Sequence, residues 1–497
     1  MNNENLTEIL TYESDAIKET YTEGEFILAD YLPPILRIVR SEARSFVKSK
    51  TVHGEKLTVE GVTEFTVIYL SDNSELTSCI HKLPFSHTSD ISSMNGEEYE
   101  IEASVSYLNT RALSPQKLYL KATVEIKTSY IKKTEFSAVI PDSEKDIFTQ
   151  KEELNSFEII CSGHKPLKIS DEIKPSSAIK SILRYDAFFN ETEQKILTGK
   201  LISKADMLLK IVYISESNAI SVHEQKIAVS QILDMNGISE DTVCNVKYSL
   251  TEFKTNLSTS TADKENSLIY EITVNVDAIG YSKTKHFLCK DAFSEKNELK
   301  CTNQSFKECT FCKISKEQSF RETIEIGLYD KLCDISVIPA VLSTDYDKET
   351  ETILVSGTFS CRVLYTDENS EFSSLEKEIP FMFSINTDQS AENIKVSADM
   401  NIKSFAYVEN DSSSAELRID CCYKGFLFSD TEKNILTTIE PDSLSFTKEA
   451  DKMILYFAEK NERIWDISKK YKVSPEALMK NNGLTEDVLK EPLMLKI

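Results

Sequence analysis

From Leu57 to Tyr69 the odd-numbered positions are mostly apolar (Leu57, Val59, Phe65, Val67, Tyr69), while Thr58, Glu60, Glu64 and Thr66 between them are polar. Successive side chains of an extended backbone point to opposite faces, so this alternation specifies a half-buried β-strand. The same alternation returns at Ile353, Val355, Gly357, Phe359, Cys361, Val363 and Tyr365, and more weakly at Ala205, Met207, Leu209, Ile211 and Tyr213. A small residue (Gly61, Ala205 or Gly357) stands eight positions before the tyrosine in each copy. Three copies in one register constitute an internal repeat.

The segment after each tyrosine repeats as well. Ser71-Asp-Asn-Ser, Ser215-Glu-Ser-Asn and Thr366-Asp-Glu-Asn-Ser are polar turns, since Ser, Asp and Asn hydrogen-bond their own backbone. A return strand then ends in Leu83-Pro84-Phe85, Ile227-Ala228-Val229 or Ile379-Pro380-Phe381, fifteen positions beyond the tyrosine. Proline, which cannot donate to a ladder, places that point at a strand end or sheet edge. A further alternating strand closes each unit at Leu118–Ile126, Leu268–Val276 and Leu417–Tyr423. Tyr69 to Tyr213 is 144 positions and Tyr213 to Tyr365 is 152; units of that length are domains rather than solenoid repeats. The expected organisation is residues 1–145 with an N-terminal extension, a divergent copy at 146–300 and a third at 301–447. Polar linkers are expected near Pro141 to Glu153, Ser294 to Gln304 and Ile439 to Asp451.

Composition narrows the functional classes. The chain carries 57 basic and 81 acidic residues, a net charge of −24 that repels nucleic-acid phosphates and anionic headgroups. Its 12 glycines never stand closer than Gly54 and Gly61, so no dinucleotide fingerprint, P-loop or nucleophile elbow can be written. His223-Glu224 lacks the second histidine of a zinc-protease helix. Missing nucleophile and metal motifs weigh against a hydrolase, and neither catalytic residues nor cofactors are expected. Acidic pairs such as Glu152-Glu153 read as solvated faces. The amino terminus is acidic without an apolar stretch behind it, from which a cytoplasmic protein with reduced cysteines is expected. Cys309 and Cys312, with His286 and Cys289 upstream, have a spacing that permits zinc, but the two pairs fall at a domain boundary and no metal is expected. Cys421 and Cys422 point to opposite faces of a strand, so at least one belongs to the core.

The motif of small residue, apolar strand, tyrosine, polar turn, strand and Pro-Phe resembles the SPOCS domain of sporulating Firmicutes over most of residues 30 to 440. The resemblance implies spore coat or cortex assembly and structural roles for Gly61, Tyr69, Pro84, Phe85, Tyr213, Gly357, Tyr365, Pro380 and Phe381. The middle copy departs by carrying Ala205 for glycine and Ala228-Val229 for Pro-Phe.

After Asp451 the pattern becomes a strand at Met453–Ala458, helical spacing at Ile464, Ile467 and Tyr471, a second helix started by Ser474-Pro475, and a last strand at Leu493–Ile497. Serine accepts from free backbone N–H groups and proline needs none at the first helical position. This β-α-α-β unit, residues 451–497, resembles a LysM module through Arg463–Leu478 and Asn481-Asn482-Gly483-Leu484. Trp465, the chain's one tryptophan, is expected to pack in its small core rather than stack on a sugar. LysM modules bind N-acetylglucosamine glycans in a groove between the first strand-helix loop and the loop before the last strand. Where the family commonly has Gly-Asp-Thr, this chain has Asn461-Glu462-Arg463, and two charged side chains beside the groove favour a protein occupant. Asn461, Glu462, Arg463, Asn482 and Leu484 are the candidate contact residues.

The expected fold class is therefore mainly β: three repeated sandwich- or barrel-like domains followed by a small α+β module. This order resembles SipL-like spore coat morphogenesis proteins. The resemblance implies a mother-cell scaffold at the forespore surface that binds the SpoIVA-type coat ATPase, and other coat proteins with it. The alternative is a peptidoglycan-binding protein of cortex or wall.

Overall fold

The computed structural model describes residues 4–94, 96–139, 147–175, 177–259, 266–387, 393–445 and 454–497. The expected boundary at 145/146, Met453 and the end of the third linker lie outside them.

Strands β1 (Glu4–Ser14), β2 (Lys18–Ile27), β3 (Ile35–His53), β4 (Lys56–Ser71), β5 (Leu76–Asp90), β6 (Gly96–Ser114) and β7 (Lys117–Val139) form the first unit. β3-β4-β5 make one antiparallel sheet, and β7 pairs with β6 on one side and with β1 and β2 in succession on the other. The second unit repeats this with β8 (Ile147–Ile173), β9 (Ile179–Leu197), β10 (Lys200–Ser215), β11 (Ile220–Asp234), β12 (Val243–Thr259) and β13 (Asn266–Ser294). The third does so with β14 (Asn297–Glu325), β15 (Lys331–Asp347), β16 (Thr352–Thr366), β17 (Phe372–Asn386), β18 (Asn393–Glu409) and β19 (Ser414–Ser445). In these two a single long strand, β8 or β14, replaces β1 and β2. Each unit is thus a two-sheet sandwich in which the first strand pairs with the last.

The alternating strands supply the facing surfaces. Leu118, Leu120, Ala122, Val124 and Ile126 of β7 are buried, as are Leu268, Tyr270, Ile272, Val274 and Val276 of β13 and Leu417, Ile419, Cys421 and Tyr423 of β19. Leu118, Leu120 and Ala122 pack against Phe65, Val67 and Tyr69, Val124 and Ile126 against Leu57, Val59 and Phe85, the β13 residues against Met207, Leu209, Ile211 and Tyr213, and the β19 residues against Phe359, Cys361 and Val363. Tyr69 and Tyr213 are buried and Tyr365 half-buried; the Tyr69 hydroxyl donates to the Pro33 carbonyl at 3.0 Å. The turns after the three tyrosines share one hydrogen-bond pattern. Ser71, Ser215 and Asp367 each donate a backbone N–H of 2.9 Å to the fourth residue on, and Ser74, Asn218 and Ser370 all take a positive φ of 60–61°. Pro84 and Pro380 sit on the edge strands β5 and β17.

The departure of the middle copy has a packing explanation. Gly61 lies directly opposite Phe85, and Gly357 opposite Phe381. A Cβ on Gly61 would stand 2.3 Å from the Phe85 ring, and one on Gly357 2.4 Å from Phe381 and 2.2 Å from the Ala340 carbonyl oxygen. In the second unit the facing pair is Ala205 and Val229. The smaller Val229 leaves room for the methyl group, so the two exchanges compensate one another.

Beyond the sandwiches the strands continue. β7 with β1, β13 with the first half of β8, and β19 with the first half of β14 form three ribbons, flanked at their sandwich ends by β6, β12 and β18. Their inner faces share a core of Tyr12, Phe157, Tyr281, Phe311, Phe426 and Phe428, continued by Ile9, Phe136, Leu154, Leu288, Phe306 and Ile435. Tyr12 stacks on Phe428 with centroids 4.5 Å apart. Much of what the sequence offers as linkers is this stalk: Ile147–Glu153, Asn297–Gln304 and Ile439–Ser445 are strand. Lys151, Lys300, Glu440 and Asp442 of these stretches are exposed, while Ile147, Leu299, Cys301 and Ile439 pack against Cys289, Ala292 and Leu436. Glu152 ties two ribbons together, lying 2.9 Å from both Lys290 and Lys433.

The sandwiches meet through the outer faces of β4, β10 and β16. Ile68, Val212 and Leu364, each just before the repeat tyrosine, join one buried cluster. Their ladder partners are Arg40, Arg184 and Asp334, all buried. The Arg184 guanidinium grips Asp334 through Nε and a terminal nitrogen at 2.7 and 2.9 Å and pairs with Asp186. Arg40 pairs with Glu42 and lies 3.7 Å from Asp334; Arg44 pairs with Asp186 and lies 3.8 Å from Glu42. Three cations and three anions from three units therefore compensate in one network. Burial disfavours the charged form of Asp186, but Arg184 and Arg44 hold its carboxyl well below the usual carboxylate range.

Two outcomes are expected. Gly357→Ala lowers stability by about 1–3 kcal/mol, and Phe381→Val introduced with it recovers part of the loss; urea unfolding measures both, and a double variant no better than the sum of the single changes refutes the pairing. Arg184→Ala, which strands two buried carboxylates, costs about 3–5 kcal/mol, against at most ~0.5 kcal/mol for Lys490→Ala in the exposed pair with Glu486. Because the Asp186 carboxyl is depressed in the fold, the stability it contributes is present above the normal carboxylate range and lost on acidification. The deficit of Arg184→Ala accordingly narrows below about pH 4.

Candidate functional site

The last module is built from β20 (Leu455–Ala458), α1 (Ile464–Tyr471), α2 (Pro475–Asn482) and β21 (Leu493–Lys496), with β20 antiparallel to β21. Helical spacing brings Ile464 and Ile467 to one face of α1, where they pack with Ala458, Leu478, Leu489 and Leu495. The Ser474 hydroxyl accepts from the Ala477 N–H at 3.3 Å and Pro475 occupies the first turn of α2. Gly483 ends α2 in a left-handed conformation at φ 66°, which glycine adopts without Cβ strain.

The loop after β20 is laced to the segment before β21. Asn461 N–H donates to the Leu489 carbonyl at 2.8 Å, Leu489 N–H to Glu462 at 3.0 Å, and Ile464 N–H to Asp487 at 2.7 Å. Arg463 forms a backbone bridge with Val488 and its Nε lies 3.7 Å from the Asp487 carboxylate. Asn461 is exposed at φ 70°. Glu462 turns back into its own loop, accepting from the Tyr456 hydroxyl at 2.8 Å and the Glu459 N–H at 2.9 Å.

Asn482 and Leu484 stand apart from this rim. The Asn482 carboxamide donates to Leu478 and Lys496 carbonyls at 2.8 and 2.9 Å and accepts from Lys496 N–H at 2.7 Å, tying α2 to β21. Leu484 packs on the module core. Of the five candidates the structure thus brings Asn461, Glu462 and Arg463 together. It adds Asp487 and Val488 facing Arg463, which the sequence marked only as the loop before the last strand.

Trp465 lies at a joint. It is 7% exposed but turns away from the module's core; its indole N–H donates to Asp291 of β13 at 2.9 Å, and its ring meets Phe293 edge-on at 5.1 Å. Lys469 donates to both Asp291 oxygens at 2.6 and 2.8 Å, and Lys472 lies 3.3 Å from Glu298. Asp291 is partly buried, yet Lys469 and Trp465 hold its carboxyl below the usual range. The sequence expectation of packing inside the module is replaced by packing between module and stalk.

A second concave region of about 1140 Å³ lies between the sandwiches, with lining from all three. On its lining the Lys247 ammonium lies within 3.5 Å of Glu100, Glu102 and Asp399. Elsewhere, Cys309 is buried in the stalk core and burial pushes its thiol up. Cys312, three positions on in the same strand, faces the other side, so the two cannot form one metal knuckle. Cys421 and Cys422 are both buried. No helix among the described residues is long and apolar enough to cross a membrane.

Comparison with known families gives two matches. The model of the SipL SPOCS domain matches residues 34–113 and 178–258, and that of the LysM domain residues 459–497. The first two segments correspond to β3–β6 and β9–β12. The third sandwich repeats the same strand order and pairing without a match of its own. No curated protein and no solved structure matches the chain significantly. With two SPOCS segments of the SipL type ahead of a LysM domain, the chain is similar to SipL-type proteins, and it is mainly β with a small helical module near its carboxyl end.

Proposed function

We propose that the chain is a non-enzymatic scaffold of spore coat assembly, and that its LysM loops 461–463 and 487–489 bind a protein, the SpoIVA-type coat ATPase, at the forespore surface in the mother cell. The observation that carries this reading is the use made of the module's rim and aromatic residue. Its one tryptophan is committed to Asp291 and Phe293, while the loops present Asn461 and the Arg463–Asp487 pair. With the module docked, a rim of opposite charges suits an electrostatically guided protein contact. The three sandwiches, fixed to each other by buried charges, supply a rigid body of the kind a scaffold requires. The LysM family match supports the second reading, a glycan-binding protein of cortex or wall.

Full-length chain immobilised on beads is expected to retain the ATPase and to remain unbound to insoluble peptidoglycan in a sedimentation assay. Arg463→Glu, which reverses charge on a half-exposed loop residue, is expected to weaken ATPase retention by about tenfold through lost electrostatic complementarity. Retention on peptidoglycan with none of the ATPase would favour the glycan reading. Unchanged ATPase affinity in Arg463→Glu would remove these loops from the contact.

A further inference from the structure

The module's attachment to the stalk is charge-sorted. Residues 454–497 carry eight basic and seven acidic side chains, so none of the chain's net charge of −24 resides there; the acidic excess lies in the body on which the module sits. The contact follows that division. Lys469 and Lys472, at the end of α1, face Asp291 and Glu298 at the far end of the stalk. Asp291 stands where the β13–β8 register breaks after Cys289, and its carboxylate also accepts the Ala292 N–H at 2.9 Å. It is therefore held in place to receive the indole and the ammonium together. Its apolar part includes an edge-to-face ring pair, Trp465 on Phe293. The lysine–carboxylate pairs are partly solvated, and pairs of that kind weaken as salt screens them.

We propose that the module and the stalk form a charge-gated latch. Docked, α1 hides Trp465 behind Asp291 and Phe293. Released, it presents an indole flanked by Lys469 and Lys472, a surface that fits an acidic, aromatic-bearing segment of a protein partner, because the stalk's Asp291, Phe293 and Glu298 are such a segment held in place. This surface lies on α1, beyond loops 461–463 and 487–489, and it exists only in the released state, whereas the reading of those loops rests on the docked one.

Trp465 is the chain's one tryptophan, and the intrinsic fluorescence of the full-length protein reads the joint directly. Asp291→Lys is expected to red-shift the emission and raise acrylamide quenching, with the open fraction increasing on the order of tenfold as hydrogen bonds to a charged group are lost. Lys469→Asp, on the module's own surface, is expected to do the same, and the Asp291→Lys/Lys469→Asp double variant to move the signal back toward wild type. Raising salt from about 0.05 to 0.5 M shifts the unmodified protein in the same direction. A synthetic peptide of the stalk sequence Lys290–Lys300, added to the Asp291→Lys chain, is expected to shift the emission back to the blue. Unchanged emission in both single variants, with far-ultraviolet circular dichroism intact, overturns the latch. Failure of the double variant to recover overturns the charge pairing as its cause, and indifference to the peptide overturns the partner surface.

Discussion

Six ionised side chains with no net charge among them, Arg40, Glu42, Arg44, Arg184, Asp186 and Asp334, occupy the place where the three sandwiches meet. Taking such groups out of water is costly unless every one is matched in place, and here the matching requires all three units. Arg184 of the second needs Asp334 of the third, and Asp186 needs Arg44 of the first. An unpartnered unit would leave a carboxylate or guanidinium without its counter-charge. The neighbouring cluster of Ile68, Val212 and Leu364 contributes burial without direction; the charges specify which faces meet and in what register.

That arrangement explains the stalk. Once the sandwiches are fixed about a common line, the ends of β7, β13 and β19 and the strands paired with them lie side by side. Their inward residues can be large and aromatic because three ribbons enclose the space. The chain passes from the second unit to the third at the far end of this stalk, between Ser294 and Asn297, where the Ser294 hydroxyl accepts from the backbone of both Lys296 and Asn297. The LysM module docks beside this turn, through Asp291, Phe293 and Glu298. The far end of the stalk therefore joins the body of the protein to the module that carries its candidate binding loops.

Within the repeat, Gly61 with Phe85, Ala205 with Val229 and Gly357 with Phe381 are three solutions to one space, set by opposing positions across a strand pair. Viewed one residue at a time, the middle copy has lost its motif. Viewed as pairs, it has kept the volume.

Legible in the sequence alone were the strand before each repeat tyrosine, its turn and return strand, the closing strand of each unit and the α-helices of the last module, because each rests on local periodicity or on a residue's own backbone chemistry. Tyr69 predicts its turn, and Ser474-Pro475 its helix, without reference to anything distant. It also named the loop residues Asn461, Glu462 and Arg463. Only the tertiary structure decided that the polar stretches beginning at Ile147 and Asn297 are stalk strands, that Arg184 and Asp334 belong to one buried network, that Asn482 ties down β21, and that Trp465 faces Asp291 and Phe293. Each of those depends on a partner that local pattern does not reveal, in the ion pair's case 150 residues away. A charged or aromatic side chain shows in sequence what it can bind but not which distant group folding will set against it.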